Sequence, residues 1–140
     1  KLCLGVPIAI VILNVFGVEL TLFRSSDVAS VISIILLIIG ELLLVMSVLN
    51  LNQSTRIGLP LEETTLKTED VYKFSRNPMY LGVYMLSGAA ALFIMDDAVW
   101  MFLIFGIIVH HKIILKEEEF LLQRFGKDYQ KYCEKVGRYF

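Results

Sequence analysis

Two short stretches carry the residue types that could do chemistry. Residues 75–82 read SRNPMYLG, and residues 110–118 read HHKIILKEE. Asn77-Pro78 is a helix-start pair, since asparagine is a favoured N-cap and proline suits the first helical position. The first N–H groups of such a helix form a positive end, and Arg76 stands beside it. Together they make an anion site. Gly82 allows close backbone approach, and the rings of Tyr80 and Tyr84 can stack on a planar group. Glu117 and Glu118 follow His110, His111, Lys112 and Lys116. An arginine, histidines, paired carboxylates and aromatics at one boundary suit a charged ligand held against a lipidic one. Plainer roles fit the same residues. Arg76 can snorkel to lipid phosphate, the tyrosines can belong to an interfacial belt, and the glutamates can be a solvated helix face.

The boundary in question is a membrane boundary. The 140 residues are 56% hydrophobic and 19% charged, with a mean hydropathy of +0.68. That is too apolar for an ordinary soluble domain. The formal net charge of −1 gives no overall field that would draw nucleic acid. Four apolar segments stand out, at 2–23, 28–51, 79–95 and 98–115. The first two are long enough to cross a hydrocarbon core of roughly 30 Å at about 1.5 Å per residue. The run 2–23 reads as a mature span rather than a leader, because it is long for one and lacks a small-residue cleavage site. The last two are joined only by Asp96-Asp97, which makes a tight helical hairpin with Asp97 as a plausible N-cap.

Four spans put the N-terminus, the 52–78 loop and the C-terminal tail on one side. That side holds 12 of the 13 lysines and arginines, and Arg24 alone faces the other. Such an imbalance predicts that both termini and the long loop are cytosolic. In 117–136, Leu121, Phe125, Tyr129, Tyr132 and Val136 recur at spacings of three or four among charged residues. This predicts an amphipathic helix at the cytosolic interface, with Gly126 as its weak point. The expected fold is therefore all-α: a single polytopic membrane bundle of about four transmembrane helices, with the 52–78 loop and a C-terminal amphipathic helix on the cytosolic side. Cys3 and Cys133 lie at opposite ends, with neither metal nor redox spacing, so no metal is expected. Glu41 sits mid-span, where an acid is a functional suspect unless it pairs with a polar residue such as Asn14.

The stretch LKTEDVYKFSRNPMYLG (66–82), followed after 83–116 by EEEFLLQRFGKDYQKYCEKVGR (117–138), resembles the isoprenylcysteine carboxyl methyltransferase family. The related phospholipid N-methyltransferases share this C-terminal region. The residues that carry the likeness are Leu66, Thr68, Tyr72, Arg76, Pro78, Tyr80, Gly82, Glu117, Glu118, Phe125, Gly126, Tyr129 and Tyr132. The chain departs from the pattern at Asn77, where the family has histidine, and at Asp70-Val71, which displaces a glycine. The first two spans carry no matching motif.

The resemblance implies a membrane-embedded methyltransferase using S-adenosylmethionine. The cofactor would sit in a cytosolic pocket built by the lead-in loop, the Arg-x-Pro-x-Tyr helix start and the Glu-Glu helix. Arg76, Glu117 and Glu118 become the catalytic candidates. Leu66, Thr68, Tyr72, Asn77, Pro78, Tyr80, Gly82, His110 and His111 become cofactor-binding candidates. The acceptor is expected to be lipidic, with an isoprenylcysteine-like carboxylate first. A phospholipid amine is the alternative, and it needs a base. Two further classes stay open. The longer NADPH-dependent sterol reductases share the C-terminal likeness, and a small non-enzymatic membrane protein would need no clustering of Arg76 with the glutamates.

Overall fold

Ser26 opens the first described helix, its hydroxyl accepting from the backbone N–H of Ala29 at 3.3 Å. The computed structural model describes residues 26–52 and 65–140. The expected span 2–23, the residues Cys3, Asn14, Arg24 and Arg56, and the middle of the 52–78 loop lie outside them. Among the described residues the elements are α1 (Asp27–Asn52), a 3₁₀ turn (Asp70–Lys73), α2 (Pro78–Ile94), α3 (Asp97–Phe125) and α4 (Lys127–Lys135), with no strand. The all-α expectation holds. Two helices, α1 and α3, are long and apolar enough to cross a membrane. The 17 residues of α2 reach only about 26 Å, short of a hydrocarbon core of roughly 30 Å.

Contact between α1 and α2 is made by small residues. Along described α1 only Ser33, Gly40 and Ser47 are buried, a spacing of seven that keeps one stripe turned to a partner helix. A Cβ at Gly40 would stand 2.9 Å from the Gly82 carbonyl oxygen, and one at Gly82 would stand 2.8 Å from that of Gly40. The two backbones therefore touch, as membrane helices do where small residues meet. The serines do not leave polar groups stranded. Ser33, Ser47 and Ser87 each donate to the carbonyl four residues back, at 2.7, 2.6 and 2.9 Å. Ala89, Ala90 and Ala91 are all buried, so α2 is covered on both sides. The small residues of α2 thus serve packing. The outer faces of α1 and α3 stay apolar and exposed, with Leu42 at 57%, Met101 at 71% and Phe105 at 65%. Glu41 is exposed on α1.

Two boundaries differ from the sequence expectation. The fourth apolar run and the acidic stretch after it belong to one helix, α3, of 29 residues. The change of composition near Lys116 marks a change of solvent. Lysine, glutamate and leucine are all good helix formers, so nothing there ends the helix. At about 1.5 Å per residue α3 is about 44 Å long, which carries Glu117 and Glu118 beyond an apolar layer. Gly126 ends it, with φ of +52°, and the amphipathic segment shrinks to the nine residues of α4. Tyr129 and Tyr132 form its buried side, as their spacing implied. The second difference is the cap. Asp96, not Asp97, caps α3, accepting from Ala98 N at 2.9 Å and Val99 N at 3.4 Å. The two-residue hairpin turn lies one residue earlier than expected, because Met95 closes α2 in a left-handed conformation.

Gly82→Ala is expected to destabilise the chain by about 1–3 kcal/mol through backbone overlap with α1. Gly88→Ala, where a Cβ meets nothing within 4 Å, is expected to cost nothing. Thermal loss of helicity in detergent, followed by circular dichroism, distinguishes them.

Candidate functional site

The segment before α2 is shaped to bring Arg76 and Asn77 inward. Asp70 takes φ of +53°, the left-handed region that asparagine and aspartate tolerate better than most residues. It falls at the Asp70-Val71 departure from the family pattern. The buried Tyr72 lies in the 3₁₀ turn, and the Tyr132 hydroxyl donates to its carbonyl at 2.6 Å. That bond ties α4 to the lead-in. Pro78 is the first residue of α2 and is fully buried. Asn77 holds the N-cap position, but its side chain makes no cap bond. It donates instead to Glu118 Oε1 at 3.2 Å and to the Arg138 carbonyl at 3.3 Å. The expected capping role of that side chain is therefore corrected. The buried carboxylate of Glu118 competes for the amide and wins, because charge strengthens a hydrogen bond.

Glu118 is the centre of the site. It is buried on a helix that is otherwise almost wholly exposed, with Ile114 the other buried position. Its Oε1 lies 3.5 Å from Arg76 Nη2. Its Oε2 accepts from Arg138 Nε at 3.0 Å and from Arg138 Nη2 at 2.8 Å. Arg76 also donates to Cys133 Sγ. Two guanidinium groups meet one carboxylate, so the cluster carries an excess positive charge near the N-terminus of α2. A cavity of about 520 Å³ opens beside it, lined by Arg76, Leu115, Glu118, Tyr129, Cys133 and Arg138 among others. Burial, then the negative charge of Glu118, pushes the Tyr129 hydroxyl up from its usual range. The hydrogen bonds from Glu118 raise Arg138 further above its already high value.

Glu117 points elsewhere, as neighbouring helix positions must. It is exposed and accepts from the Tyr80 hydroxyl at 3.1 Å. A string of rings runs on from there. Tyr80 lies 5.5 Å from His110, Tyr84 lies 6.0 Å from His110, and Tyr84 lies 6.1 Å from Tyr139. The Tyr139 hydroxyl is 2.8 Å from His111 Nδ1. The carboxylate pair of the sequence is thus split between an ion cluster and an aromatic wall.

The expected residues fall into three groups. Arg76, Asn77 and Glu118 meet directly, and Tyr80, Glu117, His110 and His111 line the aromatic wall. Gly82 stands against α1, while half-buried Thr68 lines a different groove with Lys73. Leu66 is half-buried before the 3₁₀ turn. Sequence reasoning missed the C-terminal segment. Arg76 N donates to the Gly137 carbonyl at 3.0 Å and Ser75 Oγ to that of Arg138 at 3.2 Å. Arg138, Tyr139 and Cys133 are therefore part of the site. The only signal for Arg138 and Cys133 was that 117–138 closes the recognisable stretch, and Tyr139 lies beyond it. Cys133, which the sequence marks by neither metal nor redox spacing, enters the site through the contact of its sulfur with Arg76.

The family model described as phospholipid methyltransferase matches residues 28–128. A comparison with curated proteins finds no match.

Removing the Glu118 carboxylate leaves two arginines facing each other. Glu118→Ala is expected to cost on the order of 2 kcal/mol. That is below the roughly 3–5 kcal/mol of a fully buried pair, because Arg138 is partly solvated. Glu117→Ala, on an exposed position, is expected to cost under about 1 kcal/mol; thermal unfolding ranks the two. Burial, and then Tyr72, also pushes the Tyr132 hydroxyl above its ordinary 10.0. Its folded value exceeds its unfolded one, so its contribution is complete below about pH 10 and is lost as pH rises through the folded value. Unfolding temperatures measured from pH 8 upward should drop more steeply above pH 10 in the natural chain than in Tyr132→Phe.

Proposed function

The chain belongs to the phospholipid methyltransferase family, and from that premise we infer a membrane-embedded methyltransferase that uses S-adenosylmethionine and acts on a lipidic acceptor. The observation that carries this reading is the 3.5 Å approach of Arg76 to Glu118, across 42 positions of chain, at the polar end of an apolar hairpin. The donor set fits the cofactor. A carboxylate calls for cations, and Arg76, Arg138 and the α2 N-terminus supply them. An ammonium or ribose calls for an acid, which Glu117 supplies at an exposed position. An adenine calls for flat apolar walls, which the rings of Tyr80 and His110 supply. Two buried nitrogens, Arg76 Nε and His110 Nδ1, lack a partner among the described residues, and such groups favour a ligand that bonds them.

Bound there, the cofactor supplies an electrophilic methyl group on a sulfonium. The residues of the chain then position and dehydrate the acceptor. Glu118 is held by both arginines and acts by orienting them. The first acceptor is the carboxylate of an isoprenylcysteine-like lipid, which is already an anion, suits the local positive charge and needs no base. A second reading, a phospholipid amine, is favoured by the family description and by His110 Nδ1, a buried nitrogen without a partner among the described residues that is a candidate for the required base. Both place the acceptor's tail along the apolar helices. The distribution of lysine and arginine supports a multi-pass topology with the site and both termini cytosolic.

Calorimetry in detergent is expected to detect binding of S-adenosylmethionine and S-adenosylhomocysteine. No binding of either at millimolar concentration defeats the methyltransferase reading. Arg76→Ala and Glu117→Ala should each cut turnover at least tenfold, about 1.4 kcal/mol of transition-state stabilisation. Mass spectrometry of lipids that gain a methyl group separates an ester product from a methylated amine.

A further inference from the structure

A second groove, of about 460 Å³, lies between the 3₁₀ turn and α4. Its lining shares no residue with that of the Glu118 cavity. Lys73 enters it from the turn, and Lys131 and Lys135 enter from α4, one helical turn apart. Thr68 adds a hydroxyl, Tyr132 and Val136 an apolar floor, and Asp128 the single opposing charge. Three ammonium groups therefore meet one carboxylate in a chain whose formal net charge is −1. Among the described residues none of the three lysines has an ion-pair partner, since both ion pairs belong to Glu118. The groove is built before anything enters it, because the Tyr132–Tyr72 hydrogen bond holds its two walls together at 2.6 Å.

Like charges gathered from two elements repel, and an anion between them relieves that repulsion. The neighbouring residue points to where the anion comes from. Phe74, directly after Lys73, is 79% exposed, and the apolar helix α2 begins four residues later at Pro78. An exposed aromatic beside a lysine at the entry of an apolar helix is the pattern of an interfacial anchor.

We propose that Lys73, Lys131 and Lys135 form a binding site for the phosphate of an anionic membrane lipid, separate from the methyl-transfer site. Three donors on flexible stems suit a tetrahedral phosphate as point charges. The apolar floor suits the glycerol portion of a lipid. The site fixes the α4 side of the protein against the leaflet from which the acceptor arrives. It does not depend on the methyl-transfer reading, since its lining shares no residue with that of the Glu118 cavity.

The full chain in detergent micelles is titrated with phosphatidylglycerol, phosphatidylcholine or inorganic phosphate, and bound lipid is counted by native mass spectrometry. The expected result is retention of phosphatidylglycerol over phosphatidylcholine. It should weaken at least tenfold in the triple variant Lys73→Gln, Lys131→Gln, Lys135→Gln, and it should weaken as salt is raised. All three positions are exposed, and unchanged helicity of the variant by circular dichroism verifies its fold. Equal retention of both lipids, or undiminished retention by the triple variant, overturns the proposal. Inorganic phosphate that displaces phosphatidylglycerol at equal concentration overturns the lipid as the source and assigns the groove to a free phosphate. Should the variant lose its fold, single Lys131→Gln, on the open face of α4, must still lower retention, and no change there overturns the proposal.

Discussion

Glu118 is a carboxylate taken out of water on a helix whose other described positions, apart from Ile114, stay at least partly exposed. Burying that charge alone would cost several kcal/mol. The cost is offset because two separate pieces of chain converge on it. Arg76 and Asn77 come from the entry to α2, and Arg138 comes from the segment after α4. The constraint is reciprocal. Without Glu118 the two arginines would repel, and the bonds from the Ser75 hydroxyl and the Arg76 backbone N–H to the carbonyls of residues 138 and 137 would have little to hold them. Electrostatics at one atom pair thus decides where the C-terminal segment lies, and so which side chains face the cavity.

The membrane part of the molecule obeys a different rule. In lipid there is no hydrophobic gain from bringing two apolar helices together, so close fit and satisfied backbone do the work. Ser33, Gly40 and Ser47 are the buried positions of described α1 at a seven-residue interval, Gly40 stands against Gly82 of α2, and the serine hydroxyls fold back on their own helix. By contrast α3 buries only Ile114 and Glu118, meets α2 and the C-terminal segment through His110, His111 and Glu117 as well, and leaves Met101 and Phe105 on the outside. The scaffold is rigid between α1 and α2 and tethered electrostatically at α3.

Much of this was legible in the chain. Apolar runs marked α1 and α2 to within a residue or two, because the polar residues that flank each run also flank each helix. The pair Asn77-Pro78 marked the start of α2, and the order of motifs brought Arg76 to the glutamates. What was not legible has physical reasons. A change from apolar to charged residues reports a change of solvent, not the end of a helix, so α3 was cut too short. Two adjacent aspartates satisfy the same capping rule, and only the left-handed Met95 decides for Asp96. Two adjacent glutamates look alike in sequence, yet a rotation of about 100° per residue sends Glu118 into the cluster and Glu117 to Tyr80. Arg138 and Cys133 lie 62 and 57 positions from Arg76, and no spacing rule reaches that far.

The claim on which the site rests is that Glu118 and Arg138 act as one unit that sets Arg76. A charge-swap cycle tests it most directly, with Glu118→Arg, Arg138→Glu and the double exchange each measured for S-adenosylhomocysteine affinity. Each single reversal places like charges together and is predicted to abolish tight binding, while the double exchange restores opposite charges and recovers part of it. The predicted coupling exceeds about 1 kcal/mol, beyond the few tenths expected of independent sites. Additive losses, with the exchanged pair no better than the worse single variant, would contradict the account.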